Sequence, residues 1–123
     1  MDMETALKEM MEIDGAVGVS VVDYDSGMSL GSLGGGKYLD LDVASAGNTE
    51  VIRAKMRTME ALGLNDAIDD ILITLGRQYH LIRLVQGRTG STSLFVYLAL
   101  DKNKANLAMA RHRLKQIEAT MTV

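Results

Sequence analysis

The stretch GSLGGGKY, Gly31 to Tyr38, comes nearer to a chemical motif than any other part of the chain. A glycine, four residues, then Gly36 and Lys37 frame a phosphate-binding loop, in which backbone N–H groups and the lysine hold phosphate oxygens. The next position must supply a Ser or Thr hydroxyl for magnesium, and Tyr38 stands there instead. Asp23 and Asp25 in DYDSG resemble the opening of a calcium loop, but the glycine comes early and Gly34 occupies the place of the bidentate glutamate. A hairpin turn, with the aspartates accepting local backbone N–H groups, is the simpler reading. Asp69 and Asp70 are adjacent, so on a strand they point to opposite faces and cannot act as a paired acid and base. His80, in an expected strand, and His112, in the last helix, share no spacing with each other or with a nucleophile. Ser91 and Ser93 belong to a polar loop. Cysteine is absent, which excludes thiol nucleophiles, disulfides and cysteine-held zinc. The sequence therefore predicts no enzyme, no cofactor and no metal centre.

The elements that would position these residues are those of one small domain, residues 1–123. A chain of 123 residues, 47% hydrophobic and 24% charged, suits a single core that buries roughly two thirds of its unfolded surface. It is too short for the repeated strand-helix-strand units, each about 30 residues, of a parallel-sheet nucleotide hydrolase. Its formal net charge of -3 offers no general attraction to nucleic acid. MDMETALKEMMEID is acidic and amphipathic, unlike a signal peptide, and no later segment reads as a membrane span, so a cytoplasmic protein without membrane insertion is expected.

Met3, Leu7, Met10 and Met11 recur at helical steps and predict a first helix. GAVGVSVVD, with Val17, Val19 and Val21 alternating, the reversal DYDSG and MSLGSL predict a hairpin. The three glycines Gly34 to Gly36 predict a sharp connection with positive φ. From Asp40 to Leu62 the spacing is helical, with Asp40 or Asp42 as N-cap and Gly63 as the stop. Val51, Ile52, Met56, Met59 and Leu62 form its apolar stripe, whereas Ala44, Ala46 and Gly47 are small and suit close approach of another backbone. DDILITL, QYHLIRLV and TSLFVYLAL predict three strands, apolar on both faces, joined by a turn at Gly76 and the loop QGRTGSTS. Leu107, Ala110, Leu114, Ile117 and Met121 trace the apolar face of a last helix whose other side carries Arg111, His112, Arg113 and Lys115, with Lys104 just before it. The order is α-β-β-α-β-β-β-α, and the class α+β.

MEIDGAVGVSVVDYDSGMSLG, the alanine-rich helix, DDILITLGRQYHLIRLV, LFVYLAL and the closing amphipathic helix together resemble the roadblock family of dynein-light-chain-like domains, most of all a prokaryotic stand-alone member. The likeness spans almost the whole chain. It implies a five-stranded antiparallel sheet with the middle helix on one face and the two terminal helices on the other. It also implies a homodimer joined through the middle helix and the third strand, which places Ala44, Gly47, Val51, Ile71 and Ile73 at the interface. An apolar edge strand needs such cover. The resemblance further implies a non-catalytic scaffold or regulator that binds a small Ras-like GTPase. Arg53, Arg57 and Glu60, which share one side of the middle helix, are the candidate partner contacts, and Arg88 is a further one. The alternative is a small-molecule-sensing or general protein-interaction module of similar fold, which would need a pocket with converging polar groups.

Overall fold

The computed structural model describes residues 1–85 and 93–122. Arg88, Ser91 and most of the loop QGRTGSTS therefore lie outside the described residues. The elements follow the order read from the sequence: α1 Met3–Met11, β1 Ala16–Asp23, β2 Met28–Gly34, α2 Leu41–Ala61, β3 Asp70–Thr74, β4 Gln78–Leu84, β5 Leu94–Asp101 and α3 Leu107–Thr120.

Local chemistry sets the boundaries. The Asp2 carboxylate accepts the Thr5 N–H at 2.8 Å and opens α1, and Asp40 accepts the N–H groups of Asp42 and Val43 at 3.0 and 3.2 Å to open α2. The Asn106 side chain does the same for α3 through Met109. Past Leu62, the α2 C-cap, Gly63 turns the chain away at φ +69°. In the β1–β2 turn the Asp23 carboxylate accepts the Asp25 N–H at 3.0 Å and the Ser93 hydroxyl at 2.8 Å. These bonds, the Asp25 N–H foremost, hold its pKa below the usual carboxylate range, and the aspartate pair is a turn.

The five strands form one antiparallel sheet in the order β2-β1-β5-β4-β3. Val19, Val21, Val96, Leu98 and Leu81 point to the face covered by α1 and α3. Phe95, Tyr97, Ala99, Ile82 and Val22 point to the face where Leu41 and Ile52 of α2 pack. The alternation read in β1 fails at one residue. Val17 packs with the α2-side core, because a bulge between Ala16 and Gly18 in the pairing with β5 switches its face.

The glycine run makes the crossing from β2 to α2. Gly34, Gly35 and Gly36 have φ of +75°, +80° and +151°. A Cβ on Gly34 would sit 2.5 Å from the Val17 carbonyl oxygen, so backbone proximity fixes this residue as glycine.

Candidate self-association and docking surface

Helix α2 presents two unlike flanks beside the stripe that meets the sheet. Ser45, Thr49 and Ile52 are buried, and the 3.6-residue period then puts Ala44, Gly47 and Val51 on one side and Arg53, Arg57 and Glu60 on the other. Sequence reading grouped Val51, Ile52, Met56, Met59 and Leu62 as one stripe. Only Ile52 of these is buried, Met56 and Met59 are half-buried, and Val51 and Leu62 are exposed, as are Val43 and Leu64. The apolar arc of α2 is wider than its own sheet covers.

The first flank is small and open. A Cβ added to Gly47 meets no atom of the described residues within 4 Å, so nothing among them requires a glycine at this mid-helix position. Beside it runs a groove of about 430 Å³ bounded by Lys37, Tyr38, Val43, Asn48, His80 and Tyr97. A second groove, of about 540 Å³, is lined by Val51, Lys55, Met59, Leu64, Ile68 and Ile71. Beyond them lies β3, which ends the sheet. Ile71 and Ile73 lean on the α2-side core but are only half-buried.

His80 forms the floor of the first groove. Its Nε2 lies 2.8 Å from Gln78 Oε1 and its Nδ1 3.1 Å from the Tyr97 hydroxyl, while the two rings meet edge to face with centroids 5.3 Å apart. With Gln78 Oε1 as acceptor, Nε2 carries the proton and Nδ1 accepts from Tyr97. Burial pushes the His80 pKa down, favouring this neutral form, and pushes the Tyr97 phenol up to about 12. His80 is thus a packed, hydrogen-bonded histidine, far from His112 on the exposed side of α3.

The second flank of α2 is polar, and one of its residues is already engaged. Arg53 donates through Nη2 to the Asp25 carbonyl oxygen at 2.6 Å and pairs through Nη1 with Glu50 at 3.0 Å, tying α2 to the β1–β2 turn. Arg57 and Glu60 are exposed. The basic residues of α3 divide in the same way. Arg111 grips Asp70 of β3 with two bonds, at 2.7 and 2.9 Å, and Arg113 pairs with Glu9 of α1 at 3.1 Å. The fork from Arg111 is the chief reason that the Asp70 pKa lies below its ordinary value. Asp69 has no part in it, as opposite strand faces require. Sequence reasoning did not find the ties of Arg53 to Asp25, Arg111 to Asp70 and Arg113 to Glu9, since each joins residues far apart in the chain.

The loop that resembles a phosphate site has other geometry. Gly36 and Leu39 form an isolated bridge, α2 starts only at Leu41, and Lys37 extends over the Tyr38 ring at 5.5 Å from its centroid. Lys37 therefore does not sit at the start of a helix, where a phosphate loop needs it.

A five-stranded antiparallel sheet with one helix on one face and two on the other is the Roadblock/LC7 fold, and solved structures of that fold superpose on this chain. The Roadblock/LC7 domain from Streptomyces avermitilis does so with a TM-score of 0.79 at 9% identity, over 98% of this chain and 94% of that one. MglB of Myxococcus xanthus gives 0.78 at 16% identity, over 94% and 87%. MglC of Myxococcus xanthus gives 0.60 at 22% identity, over 94% and 92%. No family model and no curated protein sequence matches the chain. At these identities the likeness defines the fold.

Proposed function

We propose that this protein is a non-catalytic homodimeric scaffold that binds a small Ras-like GTPase. The observation that carries the reading is the open flank of α2, with unfilled space at Gly47, exposed Val43 and Val51, and the adjacent edge of β3, which no other described strand pairs. Helix against helix and strand against strand, a second copy would fill the grooves, cover Ile71 and Ile73 and extend the sheet. Ala44, Gly47, Val51, Ile71 and Ile73 are the interface. The polar flank of α2 then remains exposed in both copies, with Arg57 and Glu60 available to a partner and Arg53 partly committed to the hairpin. The GTPase as partner follows from the roadblock likeness. MglB from Thermus thermophilus, of the same fold, is a gliding protein, which also suits a regulatory module. Like the sequence, the grooves and their side chains suit docking better than catalysis.

The test is capture from native cytoplasm on the immobilised protein, with GDP and with a non-hydrolysable GTP analogue. A small GTPase retained in one nucleotide state, and lost from an Arg57→Glu variant that still dimerises, supports the reading. Retention of no GTPase in either state refutes it. Lys37, Asn48, His80 and Tyr97 around one groove favour a second reading, a small-molecule-sensing module. The groove is open rather than enclosed, so a sensed molecule would compete with the second copy, and ligand-driven dissociation would identify it.

A further inference from the structure

His80 sits where the proposed α2 dimer closes. The groove that it floors is also lined by Ala44 and Gly47, the small residues of the flank that a second copy covers. Half-buried on β4, between Ile73 of β3 and Ala99 of β5, the imidazole is packed by its own sheet and open to that groove. Its Nε2 donates to Gln78 Oε1 and its Nδ1 accepts from the Tyr97 hydroxyl, so the neutral ring has a partner on each nitrogen. A second ring proton disturbs this. With Nδ1 protonated, the Tyr97 oxygen must accept instead of donate, and the phenol proton needs a new acceptor. Water in the open groove supplies one. Under a second copy that water is excluded, and an imidazolium charge and an unsatisfied phenol proton are shut into the contact together.

The surrounding charges do not relieve this. From the segment before α2 the groove receives Lys37, which repels an imidazolium, and Asp40, which attracts one while its Oδ1 accepts the Asp42 and Val43 N–H groups. Their opposite signs offset, which leaves burial as the influence that sets the His80 pKa below its ordinary value. Toward the ring, β3 contributes Ile73, β5 contributes Tyr97, and α2 contributes Ala44, Gly47 and Asn48. None of these is charged near neutral pH, the Tyr97 phenol being pushed up to about 12.

We infer that this dimer, on the α2 reading proposed above, is a proton-sensitive switch: His80 must be neutral for the second copy to dock, and mild acid separates the chains. Closing the groove deepens the burial of the imidazole, so the separate chain takes up the proton first as pH falls. Association is therefore strongest above the separate chain's His80 pKa and weakens below it. Two protons enter for each dimer lost. The dissociation constant thus rises about 4-fold where His80 of the separate chain is half protonated, and by up to about 100-fold per pH unit below that. General charge acts with the opposite sign. The formal charge of -3, counted with neutral histidines, moves toward zero in acid, and repulsion between copies falls.

Sedimentation equilibrium of the whole protein between about pH 8 and pH 5, at concentrations that span the dissociation constant, tests this. The constant of the parent should rise by about 4-fold or more on acidification. His80→Gln should hold it flat, and His112→Gln, on the exposed side of α3, should follow the parent. Ring-proton NMR of the parent needs no substitution. His80 should titrate at lower pH in the dimer than in the separate chain, and His112 at the same pH in both. A dimer whose constant stays flat or falls in acid, or a rise that persists in His80→Gln, overturns the switch and leaves the dimer standing. So does one and the same His80 pKa in both states. Monomers at every pH overturn the dimer and the switch together.

Discussion

Gly47→Leu should move two quantities in opposite directions. Within the chain, the new side chain starts from a Cβ with no atom of the described residues within 4 Å, in the interior of a 21-residue helix. Replacing a mid-helix glycine by leucine removes a propensity penalty of roughly 0.8–1.0 kcal/mol. The isolated chain should therefore become more stable by about that amount. Between two chains the same side chain stands where α2 meets its copy. Helices at contact lie about 8–10 Å apart, at the short end where residues are small. Overfilling such a contact costs about 1–3 kcal/mol, which weakens the dimer roughly 5- to 150-fold. Sedimentation equilibrium reads the dissociation constant, and urea unfolding at high dilution, where chains are separate, reads the stability of the chain itself. An unchanged dissociation constant beside raised chain stability would mean that this flank faces water in solution. Lowered chain stability would mean that Gly47 is packed inside its own chain, against the geometry.

Magnesium with ATP or GTP should leave the unfolding temperature unchanged, because Tyr38 supplies no aliphatic hydroxyl and Lys37 precedes α2 by several residues; saturable stabilisation abolished by Lys37→Ala would refute this. The burial-depressed pKa of His80 means that the unfolded chain takes up its proton first as pH falls. Its contribution to stability is full above the unfolded value, about 6.5, and is lost on acidification below it, so urea midpoints between about pH 8 and pH 5.5 should fall more steeply in the parent than in His80→Gln. Arg111→Ala should cost about 1 kcal/mol in urea unfolding, the upper end for a part-exposed pair, given its two-bond geometry. Since Asp70 is depressed, that contribution is present above about pH 3.9 and disappears as pH falls through the folded value. Gly34→Ala combines a φ of +75° with a Cβ 2.5 Å from the Val17 carbonyl oxygen and should destabilise by about 2 kcal/mol or more; a neutral result would show that the β2–α2 crossing relaxes.

What was legible in the sequence is what neighbours along the chain decide. Asp40 and Gly63 bracket α2 because capping needs only a carboxylate near the first turn and a residue tolerant of positive φ beyond the last. The period of Ala110, Leu114 and Ile117 gave the buried side of α3. What depends on pairing was not legible. Val17 changes face because of a bulge against β5, which nothing within GAVGVSVVD announces. Val51 and Leu62 are as apolar as Ile52, and only the position of the sheet under α2 decides that Ile52 goes inside. Arg53 read as a candidate partner contact and Arg111 as part of a basic helix side, since their actual partners, the Asp25 carbonyl and the Asp70 carboxylate, lie 28 and 41 residues away. For the candidate site, small residues at Ala44 and Gly47 marked the open flank of α2, but the grooves beside it arise from the placement of His80, Tyr97 and Ile71 by three different strands.

The fork between Arg111 and Asp70 has a mechanical consequence. Asp70 belongs to the last strand of the sheet, and Arg111 to a helix on the far layer, so the two layers share a joint at the sheet's border. A planar guanidinium holding both carboxylate oxygens tolerates little sliding or twisting before one of its bonds is lost. Any force that draws β3 along its own direction must therefore carry α3 with it or open the fork. Through Arg113 and Glu9 the same load passes to α1, which makes the border strand a lever on the entire two-helix layer.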